Sequence, residues 1–120
     1  MLTACLPAFA EEAPVKDAAA PMTGSYSQKD LLKNWALSAC LAMVAGDEKT
    51  KADANQTASA YMEFGRQGVD AYDELRKLAE KFAARQYAGS IPSEFNTMKC
   101  IDLFHSAELN RLVTKLSKAK

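Results

Sequence analysis

The stretch MKCIDLFHSAEL, from Met98 to Leu109, contains one of the three cysteines and the only histidine of the chain. Cys100 and His105 are five residues apart, so on a helix their side chains would point about 140° away from each other. This separation argues against a Cys–His catalytic pair, and the C-x2-C spacing of a zinc site is absent. We therefore predict that Cys100 faces a helical core and that His105 and Ser106 mark a break between two helices.

The partner expected for Cys100 is Cys40, which falls on the apolar face of a helix predicted earlier in the chain. If the N-terminal segment with Cys5 is removed, these two cysteines form an even pair. A disulfide between them closes a loop of about 60 residues and would stabilise the fold by roughly 4 kcal/mol. The alternative is a pair of buried free thiols.

Residues 1–10, MLTACLPAFA, are predicted to be the remnant of a signal peptide. Ala8-Phe9-Ala10 fits the small-x-small pattern of a cleavage site. In a competing interpretation Cys5 belongs to a lipoprotein box and is lipidated, and in a third the segment has no targeting role. The first two place the protein in the bacterial cell envelope, an oxidising setting. Residues 11–26 are then a flexible lead-in and residues 27–120 a helical domain.

Composition limits the fold and the class of partner. The 120 residues suffice for one domain, and 48% are apolar, enough for a packed core. Fifteen basic residues balance 15 acidic ones, so the chain lacks the excess positive charge that would attract nucleic acid or an anionic membrane. Glycine and proline are few, whereas alanine, leucine and lysine are plentiful, which favours an all-α domain.

Apolar periodicity predicts a compact bundle of about five helices, stapled by the disulfide. Ser27 caps the first helix, whose wide apolar arc indicates a central position, and Gly46 stops it in a left-handed conformation. The second helix lies within residues 47–68 and has a thin stripe of small residues that offers a dimer contact. The third covers residues 69–88 and ends at Gly89.

A fourth helix is predicted from about Ser93 to His105, with Met98, Ile101 and Phe104 facing inward beside Cys100. Ser106 caps the fifth. The carboxylates form no acid–base pair and no Gly-rich phosphate loop occurs, so we expect no catalytic residue, metal or cofactor. The residues alone thus predict a small exported domain that acts by binding.

Two segments carry a resemblance to a known family. DLLKNWALSACLAMVAGD, followed about sixty residues later by MKCIDLFHSAELNRLVTKL, resembles the type VI secretion amidase immunity family over roughly residues 26–117. The residues that carry the second motif are Lys99, Cys100, Asp102, His105, Ser106, Glu108 and Leu109.

The resemblance implies a periplasmic all-α protein, commonly a homodimer, that neutralises a peptidoglycan amidase and is not itself an enzyme. The amidase of that family is a cysteine peptidase, so the nucleophile belongs to the partner. The motif residues would then be mainly structural, and Lys99 and Asp102 form either a surface contact or a solvated pair.

An inhibitor of a cleft enzyme needs only to fill the cleft, which a loop between rigid helices does at little ordering cost. We predict that the connection between the third and fourth helices enters the amidase groove; its partner-binding residues are Gly89, Ser90, Ile91, Pro92, Ser93 and Glu94. The alternative is an ordinary interhelical turn. Two other functions stay open on residues alone, a periplasmic adaptor or binding protein with an exposed apolar groove and a small envelope hydrolase.

Overall fold

A computed structural model describes residues 18–118, and the regular structure in this range is helical. A 3-10 turn at Thr23–Ser25 precedes five α-helices: α1 (Gln28–Val44), α2 (Glu48–Glu63), α3 (Val69–Ala83), α4 (Asn96–His105) and α5 (Ala107–Lys118). The predicted all-α bundle is confirmed. The predicted signal-peptide remnant, Cys5 and the first part of the lead-in lie outside the described residues.

Helix α1 is the centre of the bundle, as predicted, because it contacts each of the other four helices. Ser27 caps it, since its Oγ accepts a hydrogen bond from the Asp30 N–H at 3.1 Å. The predicted stop at Gly46 is wrong: Ala45 ends the helix in an extended conformation, and no glycine of residues 18–118 has a positive φ.

The core is formed by apolar side chains of α1, α3, α4 and α5. Its largest fully buried members are Phe82, Leu32, Leu75, Leu103, Leu109, Val113, Cys40 and Cys100. The Cys40–Cys100 disulfide is confirmed: it joins α1 to α4 across a Cα–Cα distance of 5.6 Å. None of the helices within residues 18–118 has the length and apolar character needed to cross a membrane.

Helix α2 packs on α1 through Ala54 and Ala58, whose small side chains allow close approach of the two helices. The suggestion that this alanine stripe serves a dimer contact is wrong, because both residues are buried within the monomer. Asp47 caps the helix, and the hydrogen bond from the Thr50 N–H lowers the pKa of its carboxyl group. The ionised Asp47 side chain therefore stabilises the fold at neutral pH, and this stabilisation is lost as the pH falls through the lowered pKa.

Helix α3 ends at Ala83 and not near Gly89, as was predicted from local pattern. One local contact and one long-range contact are made by the chain just after this point. The Arg85 guanidinium lies 3.7 Å from the centre of the Phe82 ring, and the Tyr87 hydroxyl donates to Asp102 on α4 at 2.5 Å. The Tyr87–Asp102 hydrogen bond holds the chain against α4 in place of further helical turns.

Helix α4 begins at Asn96, three residues later than predicted. Phe95 precedes it with a φ of 55°, a left-handed conformation that ends the connection abruptly. The prediction that Met98 and Ile101 face inward is wrong, because both are about half exposed. Ser106 caps α5 as predicted, since its Oγ accepts from the Leu109 N–H at 3.0 Å.

We expect Gly65→Ala to destabilise the fold by about 1–3 kcal/mol, the usual cost of overpacking a buried site. A Cβ at Gly65 would overlap the hydroxyl oxygen of Tyr72, a buried residue whose ring packs edge-on against Trp35 at 5.2 Å. Urea unfolding measures the loss. Gly68→Ala is the matched control, because its Cβ would have no neighbour within 4 Å. Equal stability of the two variants would contradict this role of Gly65.

Candidate partner-binding surface

The connection between α3 and α4 is a long irregular segment that is largely exposed. It runs through residues 84–95, and its tip, Ala88–Glu94, is solvent-exposed throughout. Ile91 stands at the centre of the tip and exposes 65% of its surface. The structure thus places the predicted partner-binding residues together on one protruding segment.

Three contacts hold this connection near its two ends. The Phe95 ring packs so tightly on Gly89 that a Cβ there would lie 2.9 Å from Cζ of the ring. The Phe95 N–H donates to Ser93 Oγ at 3.0 Å, a local turn that fixes the second half of the tip. The Tyr87–Asp102 hydrogen bond ties the first half to α4. The tip is therefore held at both ends although it has no regular structure.

Met98 and Ile101 extend the surface from the tip onto α4. They expose 46% and 50% of their area and, with residues 93–97, line a groove of about 770 Å³. The sequence contained a signal for this. Each stands two residues before a core residue of the same helix, Cys100 or Leu103, and two residues turn a helix by about 200°. The two pairs therefore lie on opposite faces of α4.

Most motif residues of the second segment occupy structural positions. Cys100 and Leu109 are fully buried, and Ser106 caps α5. Glu108 accepts a hydrogen bond from Lys81 at 2.7 Å, which ties α5 to α3 and lowers the pKa of the Glu108 carboxyl group. His105 is exposed at the end of α4, with its ring edge-on to Phe104.

Lys99 and Asp102 are the remaining two motif residues. They do not form the solvated pair considered from the sequence, because Lys99 is buried and its Nζ donates to Asn96, whereas Asp102 accepts from Tyr87. Burial of this lysine was missed by sequence reasoning. Its position next to Cys100, whose side chain enters the core, was the available signal.

The titratable groups of the described residues do not converge on a reactive centre. The shifted pKa values are those of Asp47, Tyr72 and Glu108, which lie on three different elements. Hydrogen bonds from Thr50 lower the pKa of Asp47, burial raises that of Tyr72, and the hydrogen bond from Lys81 lowers that of Glu108. Residues 18–118 contain no group of three metal-ligating side chains.

Comparisons with known proteins agree on one family. A family model described as Tai4, type VI secretion system (T6SS) amidase immunity protein, matches residues 30–113. A chain from the Tae4/Tai4 effector–immunity system of Salmonella typhimurium is 52% identical, with a TM-score of 0.78 over 81% of this chain and 96% of that one. No curated protein matches the sequence.

Two further solved structures are more distant. One, from work on type VI-secreted toxins and self-resistance proteins of Serratia marcescens, is 26% identical with a TM-score of 0.78 over 90% of both chains. The other, from the Tae4–Tai4 effector–immunity complex of Enterobacter cloacae, is 20% identical with a TM-score of 0.71 over 81% of this chain and 99% of that one. This last likeness concerns the fold alone.

Proposed function

The chain belongs to the Tai4 family of type VI secretion system amidase immunity proteins, and from this membership we propose how it inhibits its effector. It is an immunity protein rather than an enzyme. The tip Ala88–Glu94 enters the substrate groove of a peptidoglycan amidase and excludes the substrate, which protects the producing cell and its sisters. The observation that carries this proposal is an exposed tip braced at both ends.

The bracing supports inhibition because it lowers the entropy lost on binding. A segment that is already held in its bound shape loses less freedom when a groove closes around it. Ile91 supplies an apolar group for the centre of the contact, and the ring of Pro92 fixes its own φ and so stiffens the tip. The hydroxyl groups of Ser90 and Ser93 provide polar contacts at the rim.

The exposed apolar groups of α4 continue the same surface. Met98 and Ile101 are large, half-exposed and next to the tip, and contiguous apolar area of this kind is typical of protein interfaces. Methionine adapts to irregular partner surfaces because its side chain is unbranched and flexible. We therefore include this face of α4 in the contact with the amidase.

Salmonella typhimurium Tae4 is the effector with which we test the proposal. A structure of that effector in complex with Tai4 from Enterobacter cloacae shows that it accepts an immunity protein from another species. The present chain is 20% identical to the immunity chain of that complex and 52% identical to a chain of the Salmonella system. Binding of the same effector here is therefore a reasonable expectation.

We expect the purified protein to form a complex with Salmonella typhimurium Tae4 and to stop its hydrolysis of peptidoglycan at equimolar concentration. Size-exclusion chromatography detects the complex, and chromatography of the released muropeptides measures the inhibition. A small disulfide-bonded helical protein unrelated to this family serves as the control. Full hydrolysis at tens of micromolar protein, with no co-elution, would reject the proposed function for this effector.

We place this activity in the periplasm, where a peptidoglycan amidase meets its substrate. The Cys40–Cys100 disulfide supports this location, because structural disulfides form and persist in oxidising compartments. Cell fractionation followed by alkylation of free thiols would detect the oxidised protein in that fraction. Removal of residues 1–10 as a signal peptide, lipidation of Cys5 and assembly as a homodimer stay predictions.

A further inference from the structure

A polar cleft next to the tip holds a buried cation. The cleft, about 500 Å³ in volume, lies between the end of α1, the end of α3 and the start of α4, and Lys99 lies in its wall. This lysine exposes only 7% of its surface, and its Nζ donates to Asn96 Oδ1 at 2.9 Å. An ammonium group has three donors. Within residues 18–118, two of them have no protein acceptor.

The charge of Lys99 is not matched by a carboxylate. The ion pairs among the described residues are Arg76–Asp73, Lys81–Glu108 and Lys115–Glu74. Glu94 reaches Lys99 only indirectly, because its Oε1 accepts from the amide of Asn96 at 3.0 Å.

Arg85 lines the same cleft and adds a second cation. It donates a hydrogen bond to the Tyr87 hydroxyl, which in turn donates to Asp102. Two cations, Lys99 and Arg85, thus face one carboxylate, that of Glu94, on the cleft wall.

A buried ammonium is unfavourable unless it is paired and hydrogen-bonded, and water in an open cleft offsets this cost only while the cleft stays open. Ser93 and Glu94 belong both to the cleft wall and to the tip. A partner that grips the tip therefore also covers the cleft and removes that water. Unless the partner brings an acceptor of its own, the Lys99 charge would be left without compensation.

We infer that an aspartate or glutamate side chain of the amidase effector enters this cleft and pairs with the Lys99 ammonium group. The inference rests on the proposed function, because the tip must engage the effector for the cleft to be covered. It also gives the cleft a role in partner choice. An effector with an apolar or basic group at this position would be rejected, because the buried cation would have no acceptor.

The test is the affinity of Lys99→Gln for Salmonella typhimurium Tae4, measured by calorimetry at several salt concentrations. Glutamine keeps a donor for Asn96 but removes the charge. We expect the dissociation constant to rise about 30-fold or more, as for loss of one partner of a covered charge pair. The salt dependence of binding should also become weaker, which a purely structural role of Lys99 would not produce.

The matched control is Lys51→Gln, which removes the same charge from an exposed position on α2. Thermal melting of both variants reports whether the fold is intact. A folded Lys99→Gln variant with the affinity and salt dependence of Lys51→Gln would overturn the inference. If the wild-type protein binds Tae4 and the tip variants do not, the proposed function stands whatever the result for Lys99. If the wild-type protein does not bind Tae4, both the proposed function and the inference are rejected for this effector.

A second measurement does not depend on the Lys99 variant. Each acidic residue on the Tae4 surface is replaced by alanine and tested against the wild-type immunity protein. We expect at least one replacement to weaken binding about 30-fold, and to have little further effect when combined with Lys99→Gln. If no acidic residue of Tae4 has this effect, the inference is overturned even where Lys99→Gln fails to fold.

Discussion

Replacing Ile91 and Ser93 together by arginine is expected to weaken binding of Salmonella typhimurium Tae4 by at least about 100-fold, or about 2.7 kcal/mol. Ile91 is the exposed apolar residue at the centre of the tip, and Ser93 is its polar neighbour. Two long side chains would not fit a groove shaped for a small apolar tip, so steric overlap prevents close contact. Calorimetry of the variant with Tae4 measures the change.

The helical bundle of this variant should be unaffected, because substitutions at exposed positions usually change stability by less than about 0.5 kcal/mol. The loss of the hydrogen bond from the Phe95 N–H to Ser93 Oγ concerns the tip alone. The matched control places arginine at Val69 and Ser59, which are similarly exposed but lie on α3 and α2 away from the tip. This control should bind Tae4 as the wild type does. If the tip variant is folded and retains wild-type affinity, the tip does not enter the effector.

Replacing both Cys40 and Cys100 by alanine is expected to cost about 4 kcal/mol of folding stability. The bridge is fully buried and spans 60 residues, so its loss frees a long loop in the unfolded chain. The total free energy of unfolding of a domain of this size is usually only about 5–15 kcal/mol. The melting temperature should therefore fall by about 15–30 °C.

Circular dichroism melts of the oxidised wild type and the double variant measure this difference. The control is the wild type unfolded and refolded with a reductant, which removes the bridge but keeps both sulfur atoms in the core. Reduced wild type should melt close to the double variant. A double variant that melts within about 3 °C of the oxidised protein would show that helix packing alone sets the stability.

The features predicted correctly depend on short-range rules. Ser27 and Ser106 are caps because each precedes an apolar helical pattern, and this information lies within a few residues. The Cys40–Cys100 pair followed from two cysteines on apolar helix faces and from the inferred compartment. The central place of α1 followed from its wide apolar arc.

The features predicted wrongly depend on contacts between distant residues. The local sequence pattern predicts that α3 extends towards Gly89, but the helix ends at Ala83. The Tyr87 hydroxyl instead donates a hydrogen bond to Asp102, fifteen residues later. Met98 and Ile101 were assigned to the core because apolar helical residues usually face inward, and only the orientation set by Cys100 places them outside. The burial of Lys99 arises from how α1, α3 and α4 meet, which no single segment specifies.

Cleavage of the protruding tip would not separate the molecule into two. A cut within Ala88–Glu94 leaves one fragment with Cys40 and another with Cys100, and the bridge between them keeps the fragments in one covalent molecule. Tethering holds the second fragment at high effective concentration beside the first, so α4 and α5 stay docked on α1. An immunity protein built in this way tolerates a nick in an exposed segment that a peptidase can reach.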